Sequence, residues 1–158
     1  MSTAAPPRPH TRERQQHFTI VASKFNGRFV RGLVDHATEE LRSLSPAAVV
    51  TLHQVPGAFE IPIVVREIAQ ANKASVILAL GVILQGRTAH AEHLAISVTN
   101  ALQQIALRYG VPVINAVLTL DNEEQAQERC LEKKINRGIE AAQAAVDIAN
   151  VISDLREK

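Results

Sequence analysis

Four short segments hold residue types whose spacing could support chemistry. In the run from Gly81 to His90, an apolar stretch ends near Leu84, Gly86 relaxes a turn, and Thr88 stands where it can cap a helix. A helix starting there points unpaired backbone N–H groups above the preceding strand, which suits a phosphate. His90, in that helix's first turn, would face the same space, and its unperturbed pKa of about 6.5 suits proton transfer near neutral pH. The same residues also fit a plain capped helix with a surface histidine.

The second segment is Val55-Pro56-Gly57-Ala58-Phe59-Glu60-Ile61-Pro62. Two prolines around a glycine fix an irregular backbone whose amides and carbonyls could hydrogen-bond a planar polar ring. Glu60 could accept from hydroxyls or amines, or could simply stabilise a helix N-terminus. In the third, Arg129 and Lys133 are four residues apart and would share a helix face. Arginine is the preferred bidentate partner for phosphate, although a solvated charged face has the same pattern. The fourth is Phe25, one of four Phe beside a single Tyr. Past the end of a strand it could stack on a heteroaromatic ring, the alternative being a place in the core. His90 and His93 could share a helix face as metal ligands, but a zinc site needs three or four, and no obvious third exists.

These segments punctuate a regular alternation. Short apolar runs at 18–22, 49–55, 76–84 and 113–118 read as strands, and their near-continuous apolarity suggests cover on both faces. Between them, 29–44, 61–71 and 91–109 carry apolar stripes at helical spacing, the last stopped by Gly110 and Pro112. Two further helices are predicted, from Asn122 to about Lys134 with Asp121 or Asn122 as cap, and from Arg137 to Leu155. The expectation is an α/β three-layer sandwich with a central, mostly parallel four-stranded sheet flanked by helices, of flavodoxin-like type. In such folds ligands bind beyond the carboxyl ends of the strands, so the loops at 23–27, 55–60, 84–90 and 119–122 should form the site.

Bulk properties bound the remaining choices. The chain has 158 residues, enough for one domain, and 46% are hydrophobic. Seventeen Lys and Arg against sixteen Asp and Glu give a net charge of +1, which argues against a nucleic-acid partner but leaves room for one phosphate on one arginine. A single cysteine, Cys130, excludes an intramolecular disulfide and is compatible with a reducing compartment. Residues 1–16, with Pro6, Pro7 and Pro9, read as a flexible or extended arm before a single domain at 17–158. The arm lacks the run of about 7–15 apolar residues of a signal peptide, and no stretch reaches the roughly 20 of a membrane helix, so the expected place is the cytoplasm, with no membrane partner. No Gly-rich dinucleotide fingerprint or P-loop is present.

Taken together, the segments resemble the lumazine synthase family. Val55 to Pro62 resembles its Val-Pro-Gly-Ala-Phe-Glu-Ile-Pro signature in full, and Gly86 to Leu94 its Gly-x-Thr-x-His motif through Thr88, His90 and Glu92. Gln125 to Gly138 resembles the family's Glu-Gln-Ala-x-Glu-Arg helix and following turn, with Arg129, Lys133, Asn136 and Gly138 matching. The resemblance runs from about Phe18 to Asn150. It implies a cofactor-free, metal-free transferase that condenses 5-amino-6-(D-ribitylamino)uracil with 3,4-dihydroxy-2-butanone 4-phosphate to 6,7-dimethyl-8-ribityllumazine, the penultimate step of riboflavin biosynthesis.

By the same resemblance, Phe25, Ala58, Phe59, Glu60, Val82, Ile83, Leu84 and Asn115 would bind the aminouracil. Arg87, Thr88 and Arg129 would hold the butanone phosphate, His90 would move protons, and Lys133 would stand at the edge of the site. Three positions depart from the pattern: Gln85 replaces a usual Arg, Ala91 a usual aromatic, and Asn115 a Phe that commonly reaches the neighbouring subunit's ring site. A non-catalytic flavin- or lumazine-binding shell protein of the same fold is the alternative, which those departures favour and the retained His90 and Arg129 oppose. The resemblance further implies a homo-oligomer with sites at subunit interfaces, a pentamer or a 60-subunit shell, and association with riboflavin synthase. The turn from Lys134 to Gly138 lacks the insertion of isolated pentamers, while the proline-bearing arm could hinder the strand addition that shells use.

Overall fold

The computed structural model describes residues 4–10, 12 and 15–157. Four strands, β1 (His17–Ser23), β2 (Val49–Val55), β3 (Val76–Leu84) and β4 (Val113–Leu120), form one parallel sheet in the order β2-β1-β3-β4. The crossovers are α1 (Gly27–Leu44), α2 (Ile61–Ala71, entered through a 3-10 turn at Ala58–Glu60) and α3 (His90–Tyr109). After β4 come the short α4 (Glu123–Ala126), a π-helical turn at Gln127–Leu131, and α5 (Arg137–Arg156). This is the expected α/β three-layer sandwich.

Strand periodicity divides the core in two, because alternate side chains leave a strand on opposite faces. Phe18, Ile20 and Ala22 of β1, with Val76, Leu78 and Leu80 of β3, pack against α1 and α5. Val21, Ile77 and Ala79 face the other way, onto α2 and α3. β3 lies between β1 and β4 and is buried along nearly its whole length, as its unbroken apolar run predicts. β2 differs from the expectation of cover on both faces. It is an edge strand with Val49 39% and Leu52 45% exposed, and Thr51 and His53 border an open cleft of about 510 Å³ beside α2. An apolar run does not by itself say that a strand is covered on both faces.

Helix boundaries follow local chemistry. Asn26 enters the left-handed region (φ 55) to start α1, and Gly110 (φ 68) ends α3, both residue types that tolerate that conformation. Asn122 accepts from the Gln125 N–H at 2.9 Å, which settles the cap of α4. The buried Asn136 accepts from the N–H groups of Gly138 (2.9 Å) and Ile139 (3.1 Å) and donates to the Glu132 carbonyl (2.9 Å), closing the turn before α5. The described residues of the arm form neither helix nor strand. Arg8 reaches Glu40 (3.0 Å) and Ser43 (2.9 Å) on α1, Arg12 reaches Asp154 (2.8 Å) on α5, and Ala4 to Pro7 border a groove on α5.

α1 and α5 meet at a close approach: a Cβ on Gly138 would stand 2.5 Å from the Leu33 carbonyl oxygen and 3.0 Å from Asn136 Oδ1. Backbone must therefore move to admit any side chain. Gly138→Ala should lose about 1–3 kcal/mol of stability in urea unfolding. An unchanged midpoint and slope would show that the two helices are free to separate.

Candidate active site

The strand order reverses direction between β1 and β3, since the chain runs outward to β2 and then crosses back. A crevice opens at that switch point, at the carboxyl ends of the strands. Backbone hydrogen bonds fasten its walls together. The Lys24 N–H donates to the carbonyls of Val55 (2.8 Å) and Pro56 (3.2 Å), and the Phe25 N–H to Pro56 (3.1 Å), so the loops after β1 and β2 form one unit. Asn26 Nδ2 donates to the Val82 carbonyl at 2.7 Å and ties that unit to β3. Gln85 N–H in turn donates to the Leu120 carbonyl (2.9 Å), linking the ends of β3 and β4.

The crevice encloses about 370 Å³. Its floor is Val82, Ile83 and Leu84; one wall is Phe25 and Asn26, another Gly57, Ala58, Phe59 and Glu60, and the last His90 and Leu94 of α3. Phe25 is 72% exposed and Phe59 68%, so neither belongs to the core. Both present apolar rings at the rim, where stacking on a planar ligand would return the cost of exposure. Gly57 is needed for space: a Cβ there would meet Glu60 Oε2 at 3.2 Å and Phe25 Cδ2 at 3.3 Å. Without a side chain at 57, the carboxylate and the ring both close over the loop.

Eight of the residues singled out in the sequence thus line one cavity: Phe25, Ala58, Phe59, Glu60, Val82, Ile83, Leu84 and His90. Asn26, Gly57 and Leu94 join them. Asn26 falls in the 23–27 loop expected at the site without being singled out, and Leu94 reads from periodicity as core. His90 is the first residue of α3 and is exposed to the cavity. Thr88 is a weak cap: its Oγ1 lies 3.4 Å from the His90 N–H, beyond the usual range, and the cap position itself is Ala89. Among the described residues, no three His, Cys, Asp or Glu side chains gather into a metal site.

The remaining candidates do not line this cavity. Arg87 and Thr88 lie exposed in the loop between β3 and α3. Asn115 is paired in register with Ala79 on the outer strand β4. Its Nδ2 donates to Thr99 Oγ1 (3.2 Å) and its Oδ1 accepts from the Val117 N–H (3.1 Å). Arg129 belongs to the π turn, where it lies 3.8 Å from Glu128 Oε2, and its buried Nη1 has no hydrogen-bond partner. The expected continuous helix from Asn122 to Lys134 is broken here. α4 ends at Ala126, the π turn at Leu131, and Glu132 is extended, so Lys133 does not follow Arg129 by one helical turn. Sequence spacing gives no sign of this, because a π turn inserts a residue without changing composition.

Beside Arg129, Cys130 is fully buried, and that burial pushes its thiol up to about 11 although the neighbouring guanidinium pulls it down. The thiolate is the reactive form, so folded protein should label negligibly with a maleimide at pH 8 and promptly in denaturant. Equal rates in the two states would place Cys130 at the surface.

An α/β doubly wound protein with an aromatic-rimmed, histidine-bearing crevice at its switch point belongs to the class that binds small planar ligands there. Comparison with known proteins narrows this class. A sequence model of the 6,7-dimethyl-8-ribityllumazine synthase family matches residues 15–153. A protein described as 6,7-dimethyl-8-ribityllumazine synthase from Chloroherpeton thalassium is 38% identical over 142 residues, covering 87% of this chain and 90% of that protein. The chain belongs to the 6,7-dimethyl-8-ribityllumazine synthase family.

Proposed function

We propose that this protein condenses 5-amino-6-(D-ribitylamino)uracil with 3,4-dihydroxy-2-butanone 4-phosphate, releasing inorganic phosphate and two waters to give 6,7-dimethyl-8-ribityllumazine. The observation that carries the reading is the single crevice in which the family's signature loop, the end of β3 and His90 meet. Its dimensions and flat apolar rim suit the aminouracil ring on Val82, Ile83 and Leu84 beneath Phe25, with Glu60 and the Ala58–Phe59 backbone available to the polar edge and ribityl chain. The ring's primary amine attacks the ketone and water leaves as the imine forms. Loss of phosphate then prepares attack by the ribityl-bearing amine, and a second water leaves as the ring closes. His90 is the imidazole at the crevice, placed to act as general acid and base. Holding the two reactants side by side supplies much of the remaining acceleration.

The phosphate end of the site calls for a second copy of the chain. Arg129, Lys133 and Asn115 stand outside the cavity that contains His90, and the Nη1 of Arg129 makes no hydrogen bond, with Glu128 Oε2 3.8 Å away. The exposed Leu52 of β2 and the exposed Phe59, Ile63 and Ile96 of the 3-10 turn, α2 and α3 offer apolar area to a neighbour. Our reading is a ring of subunits, a pentamer by family pattern, in which one copy brings Arg129 to the crevice of the next. Arg87 and Thr88 line the approach.

In an assay of lumazine formation by absorbance, His90→Ala should slow turnover about 10- to 1000-fold. Arg129→Ala should chiefly raise the KM for the butanone phosphate. Co-expressing the two variants tests the shared site: random mixing should restore about one site in four, those joining an intact His90 to an intact Arg129 across an interface. No recovery in mixed oligomers would place both residues of each site in one chain. Unchanged kinetics in His90→Ala would remove that residue from the mechanism.

A further inference from the structure

Arg129 acts from an unusual piece of backbone, and α1 is built to hold it. Residues 127–131 form a π turn, closed by the Glu132 N–H donating to the Gln127 carbonyl at 3.1 Å. Such turns are rare and found disproportionately at functional sites. Their last carbonyls have no partner within the helix and must be satisfied from outside.

Along α1, residues 28, 32 and 36 recur at four-residue spacing and so lie on one face. All three meet the π turn. Arg28 Nη2 donates to Gln127 Oε1 at 3.2 Å, at the turn's beginning. Gly32 receives its middle: a Cβ there would stand 2.5 Å from the Cys130 carbonyl oxygen and 2.5 Å from Leu131 Cδ2. His36 Nε2 lies 3.0 Å from the Leu131 carbonyl, at its end. A carbonyl only accepts, so Nε2 carries the proton in this contact. The three contacts bracket Arg129 on both sides, while buried Cys130 anchors the turn from below. None of the three α1 residues lines the crevice.

We infer that the Arg28–Gly32–His36 face of α1 is a cradle that sets the phosphate-binding arginine, with His36 as a positioning residue for the butanone phosphate. The inference rests on the phosphate role of Arg129 proposed above. His36 partners a carbonyl two residues from Arg129, and Gly32 removes the side chain that would push the turn outward. The guanidinium therefore arrives at its ligand with its backbone already ordered, and less freedom is lost on binding.

The test is a double-mutant cycle read in lumazine formation, with His36→Leu, His36→Gln and Arg129→Ala. His36→Leu removes the donor at similar size and should raise the KM for the butanone phosphate about three- to tenfold, leaving the aminouracil KM unchanged. His36→Gln keeps an N–H at the same reach and should restore the wild-type value within about twofold. In the Arg129→Ala background, His36→Leu should add nothing, since the residue it positions is gone. Should His36→Leu not fold, Gln127→Ala cuts the exposed tether at the other end of the turn and should show the same selective rise. Equal increases in both KM values, no rescue by Gln, or an additive effect without Arg129 would each overturn the cradle while leaving Arg129 its role. A phosphate KM untouched by Arg129→Ala would overturn both.

Discussion

The reversal of strand order between β1 and β3 is the constraint from which the rest follows. A parallel sheet needs its crossovers on both faces, and changing direction at β1 leaves two neighbouring strands whose connections depart to opposite sides. No helix can fill the gap above them. The loops around that gap are then fixed by ordinary backbone bonding: Lys24 and Phe25 to the Pro56 region, and Asn26 to Val82. The floor is rigid because β3 is buried on both faces, with strands on either side. His90 owes its place to the same geometry, as the first residue of the helix that leaves β3.

The two reactants of the proposed reaction make different demands, and the candidate groups for them lie in different parts of the fold. A planar ring needs flat apolar surface with a few hydrogen-bonding groups, which the crevice provides. A phosphate needs a cation, and the one proposed here, Arg129, sits in the π turn packed against α1, with Glu128 Oε2 3.8 Å from its Nη1. Within this chain Arg129 does not line the crevice that holds His90. β2 stays half uncovered and Phe59, Ile63 and Ile96 are exposed, apolar area that the proposed neighbouring subunit would cover.

Much of this could be read from the residues. The bounds of β2, β3 and α2 follow directly from their apolar runs and periodicity, and the loop from Val55 to Pro62 declared itself through its prolines and glycine. What could not be read depends on relations between elements. The exposure of β2 reflects its edge position, which composition does not encode. The π turn at 127–131 has the apolar spacing of a helix until α1 approaches it, and the need for Gly32 appears only when Cys130 is seen beside it. Thr88 has the right identity for a cap, yet α3 starts at His90 behind Ala89. Propensity placed these residues within a position or two, and tertiary packing decided the rest.

The most direct measurement is a crystal structure of the assembled protein with the ribityl-lumazine product and inorganic phosphate. The account predicts the pteridine ring stacked on Phe25 above Val82 to Leu84, His90 beside it, and phosphate on Arg129 of an adjoining copy. A ring bound elsewhere, or a phosphate held without Arg129, would contradict it.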